Sequence, residues 1–128
     1  MSTILVDTLT GTSTAGSIAV TGEGNSTTTN LQQGLVKSFG EYSADGTSIL
    51  DSFNVSSLTD QTTGQQYTNY TNNMGSANYA IINAIQTVGN VEHFSESLSS
   101  SQSRHYAYDD SGSYVDNSQM QITSGDLA

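Results

Sequence analysis

The chain has no cysteine, no proline and no tryptophan, and only two cationic side chains, Lys37 and Arg104, in 128 residues. Each absence removes a class of answer. Without cysteine there is no disulfide framework and no thiolate metal site. Two isolated cations cannot build the clustered positive surface that displaces counterions from phosphates, so nucleic acid and anionic membrane are disfavoured as partners. No run approaches the ~20 apolar residues of a membrane span, and residues 1–7 lack the basic start and apolar stretch of a secretory signal. The expectation is a soluble product of the cytoplasm. The lack of proline also means that strand edges are not blunted that way and have to be covered by neighbours.

What remains is polar but mostly uncharged. Charged residues are 11% of the chain and the net charge is -10, a sparser charge than that of acidic disordered proteins, in which repulsion holds the chain open. Hydrophobic residues are 34%, which predicts a thin core for one domain's worth of chain. Backbone ladders and subunit packing then have to supply the order that a large core would supply, so an oligomer is expected. Symmetry multiplies the negative charge and favours an exposed, soluble surface.

Residues 1–33 form a distinct region. Two short apolar runs, one around Ile4 and Val6 and one around Ile18 and Val20, sit in Thr/Ser/Gly-rich chain. They are too sparse to make their own core and read as strands or an extended arm. Such an arm adds to this domain, to a neighbouring subunit or to another partner, which makes Ile4, Val6, Ile18 and Val20 candidate contact residues. Leu31 and Leu35 have helical spacing, but Gly34 limits any helix to one turn.

From Val36 onward the pattern is β. Val36, Ser38 and Gly40 alternate with Lys37, Phe39 and Glu41, and Asp45 with Gly46 is a turn signal. Ile49, Phe53 and Val55 share a face, with Asp51 the odd polar member. Leu58 has the opposite parity, which predicts a bulge or corner at Ser56 and Ser57. Thr62, Thr63 and Gly64 turn the chain into a strand over 65–71, followed by a loop over 72–75. Tyr79, Ile81 and Ile85 alternate with Ala80, Ile82 and Ala84, which predicts a strand buried on both faces. Gly89 and Asn90 turn again. A weak strand over 92–96, a strand over 104–108, a turn over 109–112 and a last strand over 119–123 with Met120 and Ile122 inward complete the reading.

Several pieces of this pattern share their wording with a known module. Gly34, Leu35, Val36 and Lys37 precede residues 51–60, DSFNVSSLTD; Thr63 and Gly64 lead to Asn69, Tyr70 and Thr71; Met74 and then Asn78, Tyr79 and Ala80 follow. Together they resemble a module of tail-fibre and other virion proteins of tailed bacteriophages, especially marine ones. The likeness covers roughly residues 34–83 and implies a β-sandwich, usually trimeric, carried on fibres or spikes or displayed on the particle. Where that module has Tyr and Val alternating with Phe, this chain has Gln66 and Thr68 beside Tyr70, so that face is wetter here. Beyond about residue 88 no match is found.

Candidate sites weigh against an enzyme. His93 and His105 are the only histidines, and no His-x3-His spacing joins them to a metal, which leaves a surface or interface role. Asp109, Asp110 and Asp116 form an oxygen-rich stretch that lacks the spacing of a calcium loop, and an ordinary Asx turn explains it. No Gly-x-Ser-x-Gly elbow supports a Ser/His/Asp triad, and a glycan-cleaving carboxylate pair needs a longer groove. Of the tyrosines, Tyr79, Tyr106 and Tyr108 suit packing, whereas Tyr114 lies in a loop-like stretch and suits an exposed contact.

These observations predict an all-β protein: an antiparallel, jelly-roll-like β-sandwich over 34–128 with an extended N-terminal arm over 1–33, assembled as a homotrimer. It is expected to be non-enzymatic and to use no cofactor or metal. The leading expectation is a tail-fibre or spike-like bacteriophage virion protein, assembled in the bacterial cytoplasm. Its partners would be other virion proteins and a host surface glycan. The alternatives are a capsid decoration protein and a free carbohydrate-binding module.

Overall fold

Backbone hydrogen bonds in this chain run between strands. The computed structural model describes residues 3–12, 18–21, 28–32, 34–85 and 91–127, and among them it has ten strands and no helix. They are β1 (Ala19–Thr21), β2 (Thr28–Asn30), β3 (Ser38–Tyr42), β4 (Ile49–Phe53), β5 (Val55–Thr62), β6 (Gln65–Tyr70), β7 (Ala80–Ile85), β8 (Val91–Ser99), β9 (Gln102–Asp109) and β10 (Gln119–Ser124). The chain divides into two compact units, Met1–Leu35 and Val36–Ala128.

In the first unit β1 and β2 pair antiparallel with Ala19 opposite Asn30, and Leu31 N donates to Ile18 O at 2.8 Å. Gly34 N donates to Asn30 O and Leu35 N to Gln32 O, so the leucines close a turn rather than start a helix.

The second unit holds two four-stranded antiparallel sheets, ordered β4-β3-β10-β7 and β5-β6-β9-β8. They face each other: Gln121 Nε2 on β10 donates to Ser103 Oγ on β9 at 2.9 Å, and Gln119 Nε2 donates to Gln66 Oε1 on β6 at 3.0 Å. Turn chemistry places the strand ends. Gly46, Gly64 and Gly112 all have positive φ, and the register of β5 on β6 shifts between Val55 and Ser57, where the parity change predicted a bulge. The strand over 92–96 is longer than its sequence suggested and makes a long hairpin with β9. The turn expected at Gly89 and Asn90 lies outside the described residues.

The faces are reversed from the usual pattern. Met120 and Ile122, expected inward, point out, and Gln119, Gln121 and Thr123 point in and are buried. Strand β7 is not buried on both faces, because Ile82 is 67% exposed. Cross-strand register carries Phe53, Phe39, Ile122 and Ile82 into one apolar row across the outer face of the β4-β3-β10-β7 sheet. Asp51 is therefore not an oddity: it shares that outer face with Phe53. Between the sheets lie Ser38, Gln66, Thr68, Ser103, His105, Gln121 and Thr123, with Tyr42, Tyr70 and Ala107 as the apolar fraction. Many of its amides and hydroxyls bond one another, whereas Ser38 Oγ, Gln66 Nε2 and Gln119 Oε1 are buried without a partner among the described residues; each such unpaired group costs ~1–3 kcal/mol.

Asn54 ties the crossing between the sheets. It is the only non-glycine residue at positive φ (59°) among those described. Its Nδ2 donates to Lys37 O at 2.9 Å and to Asn72 O at 3.0 Å, while its Oδ1 accepts from Asn72 N at 2.7 Å. Asn tolerates the left-handed region better than other side chains do. Asn54→Ala removes three bonds and keeps the strain, so urea denaturation should show a loss of about 2–4 kcal/mol. Asn54→Gly relieves the strain alone and should lose less.

Candidate functional site: an aromatic outer face

The outer face of the β5-β6-β9-β8 sheet is built by alternation on two strands. On β9, Ser103, His105 and Ala107 point inward, so Arg104, Tyr106 and Tyr108 stand outward. On β8, Phe94 pairs with Tyr106 and Glu92 with Tyr108. The turn after β9 then returns Tyr114 onto this face through a bridge to Tyr108.

Asp109 shapes that turn. Its Oδ1 accepts from Ser111 N, Ser111 Oγ and Ser113 N, and the Ser111 and Ser113 bonds hold its carboxyl below the usual range. Gly112, at φ 78°, completes the reversal.

The result is a ladder of planar groups. Tyr108 and Tyr114 rings lie 4.5 Å apart at 31°, with Tyr108 Oη donating to Tyr114 Oη at 2.9 Å. Tyr106 stacks beside Tyr108 at 6.4 Å and 23°, and Phe94 meets Tyr108 edge-on at 5.8 Å. Arg104 lies 4.7 Å from the Tyr106 ring centre and is ion-paired with Glu96, which also accepts from Tyr106 Oη. Offset ring pairs and a cation over a ring face are both favourable arrangements. An open basin of about 620 Å³ runs along the ladder, lined by Glu92, Phe94, Tyr106, Tyr108, Asp109 and Asp110.

The other sequence candidates fall in different places. Tyr114 is 41% exposed, as its loop position suggested, and Tyr106 and Tyr108, expected in core or subunit packing, join it on the outer face and not in the core. Phe94 was missed as a site residue; its opposition to Tyr106 needs the register of β8 on β9, which no local pattern gives. Tyr79 packs edge-on to Tyr70 and donates to Gln102 O at 2.5 Å. Ile4, Val6 and Val20 are exposed and Ile18 half-buried, all in the first unit. Asp116 does not join Asp109 and Asp110: its Oδ1 accepts from Gly64 N at 2.7 Å. Among the described residues no cluster of three or more His, Cys, Asp or Glu has the geometry to hold a metal ion.

His105 departs from the surface or interface role that its sequence suggested. It is fully buried between the sheets, with Thr68 Oγ1 3.0 Å from Nε2 and Ser95 Oγ 2.9 Å and Asn83 Nδ2 3.2 Å from Nδ1. Burial, with the neighbouring His93 adding to it, pushes its pKa down to about 4. Burial also lowers that of His93. Both imidazoles are therefore neutral structural groups near pH 7.

Comparison with family models, with curated proteins and with solved structures gives no match. The fold and site define an all-β chain with a hydrogen-bonded polar interior and an aromatic ladder outside.

Proposed function

We propose that this chain is a structural protein of a tailed-bacteriophage virion, of the tail-fibre or spike type, in which the β-sandwich unit is displayed and the N-terminal segment docks into the particle. The observation that carries this reading is the reversal of faces. The row Phe53, Phe39, Ile122 and Ile82 lies outside, while amides and hydroxyls fill the interior. Fully burying one such side chain is worth roughly 1.5–3 kcal/mol, so a chain patterned this way gains its apolar stabilisation by packing against other chains. A homotrimer assembled in the bacterial cytoplasm meets that need, and the resemblance over residues 34–83 points to the same assembly. Multivalent display then turns weak contacts with a host surface into avidity. The role is architectural and needs neither catalysis nor a cofactor.

Copy number tests it. Quantitative mass spectrometry of purified particles, normalised to the major capsid protein, is expected to find copies in the range of a fibre or spike. A number close to that of the capsid lattice would mean decoration of the head, and absence from the particle would remove both readings. Deleting residues 1–33 is expected to abolish incorporation and leave a folded trimer.

A further inference from the structure

The aromatic ladder has features that a buried protein interface does not need. Its rings are exposed but already oriented: Phe94 is 53% and Tyr114 41% exposed, and the Tyr108–Tyr114 and Tyr106–Glu96 hydrogen bonds hold their partners in place. Rings fixed before binding lose little conformational entropy on contact. The two outer faces also differ in kind. The β4-β3-β10-β7 face presents a row of Phe and Ile, whereas the ladder is tyrosine-rich and rimmed by carboxylates. Glu92 and Asp110 line the basin and have no hydrogen-bond or ion-pair partner among the described residues. A protein surface laid over them would strand two charges away from water, which is costly. A ligand covered in hydroxyl donors would not.

We propose that the basin along Phe94, Tyr106 and Tyr108, whose Tyr108 ring is braced by Tyr114 beside it, binds a neutral oligosaccharide. The C–H face of a pyranose is apolar and weakly positive, which matches the electron-rich face of a tyrosine ring. Its hydroxyls donate to Glu92 and Asp110 at the rim, and charge-assisted bonds of this kind are the stronger ones. The sign of the site selects against acidic sugars. Net charge is -10, and the nearby cation, Arg104, is already paired with Glu96. The basin runs along successive rings, which fits more than one sugar unit. As the host-contacting surface of a fibre this deepens the function proposed above and rests on it; binding itself is a property of the purified chain.

The test is a glycan array probed with the labelled full-length protein, followed by titration of the best ligand. Binding to neutral glycans is expected, with Tyr108→Ala and Tyr106→Ala each weakening it about tenfold. Tyr108→Phe keeps the ring and should bind nearly as wild type, and circular dichroism shows whether each variant stays folded. Glu92→Gln should weaken binding severalfold. Ile82→Ser, on the other sheet, should leave it unchanged. No binding to any neutral glycan, preference for acidic glycans, or full binding by both folded tyrosine-to-alanine variants would overturn the proposal. So would a change of oligomeric state in Tyr108→Ala without glycan binding, since the ladder would then be a protein seam. The two readings fail separately. A protein present in the particle at fibre copy number that binds no glycan loses only the sugar site. A protein that binds glycans but is absent from the particle loses only the virion role.

Discussion

Acidification from pH 7.5 to 5 should cost the fold about 2 kcal/mol through His105 alone. Its pKa is about 4 in the folded chain against an ordinary 6.5. Between those values the unfolded chain binds more protons, so stability is fully present above about pH 6.5 and falls as the pH drops toward 4. His93, lowered by burial, acts in the same direction. Asp45 and Asp109, both held down by hydrogen bonds, lose their contribution only at more acid pH.

The structural cause lies in the partners. With the Asn83 amide nitrogen facing Nδ1, that ring nitrogen has to accept, and Nε2–H donates to Thr68. A second proton would set Nδ1–H against the Asn83 amide, leave Ser95 Oγ alone to accept it, and place a charge in a closed interior. Urea denaturation of wild type and His105→Gln at pH 7.5 and pH 5 separates the effects, and both values lie above the isoelectric point of about 4.1. The variant should be less stable at pH 7.5 but nearly flat between the two, with His93 supplying what slope is left. Parallel losses in the two proteins would show that the buried imidazole is not the titrating group.

Gly40→Ala is expected to cost about 3 kcal/mol, large for one methyl group. Gly40 points inward on β3, and a Cβ there would fall inside the Tyr42 ring. That ring is fully buried, and its hydroxyl donates to Gln121 Oε1 at 3.2 Å, so it has no solvent to swing into. Burial also pushes the Tyr42 pKa up to about 12, which keeps the hydroxyl a donor. The check is a double-mutant cycle. Tyr42→Ala alone should cost about 3–5 kcal/mol, and adding Gly40→Ala in that background should cost less than about 1 kcal/mol. Additive losses would mean that the ring and the glycine are not in conflict.

The β-pattern was legible because turn residues are local. Asp45 with Gly46, Thr63 with Gly64 and the bulge at Ser56 and Ser57 mark strand ends whatever the strands pack against. The orientation of the faces was not legible. Period-2 alternation separates Met120 and Ile122 from Gln119 and Gln121, but it does not say which set is inside, and the usual assignment of apolar residues to the interior fails here. Gln66 and Thr68 carried a partial warning, since both are polar on the strand that lines the interior. The candidate site was half visible: Tyr114 could be placed by its loop, but its stacking on Tyr108 and the approach of Phe94 depend on the pairing of β8 with β9.

An interior of amides and hydroxyls also sets how the fold responds to temperature. Exposing apolar surface on unfolding raises the heat capacity and exposing polar surface lowers it. Unzipping Gln121, Thr123, Ser103 and Thr68 therefore releases little of the heat-capacity increment that bends the stability curve of an oily core. The stability curve of this unit is therefore expected to be less curved than that of a unit with an oily core.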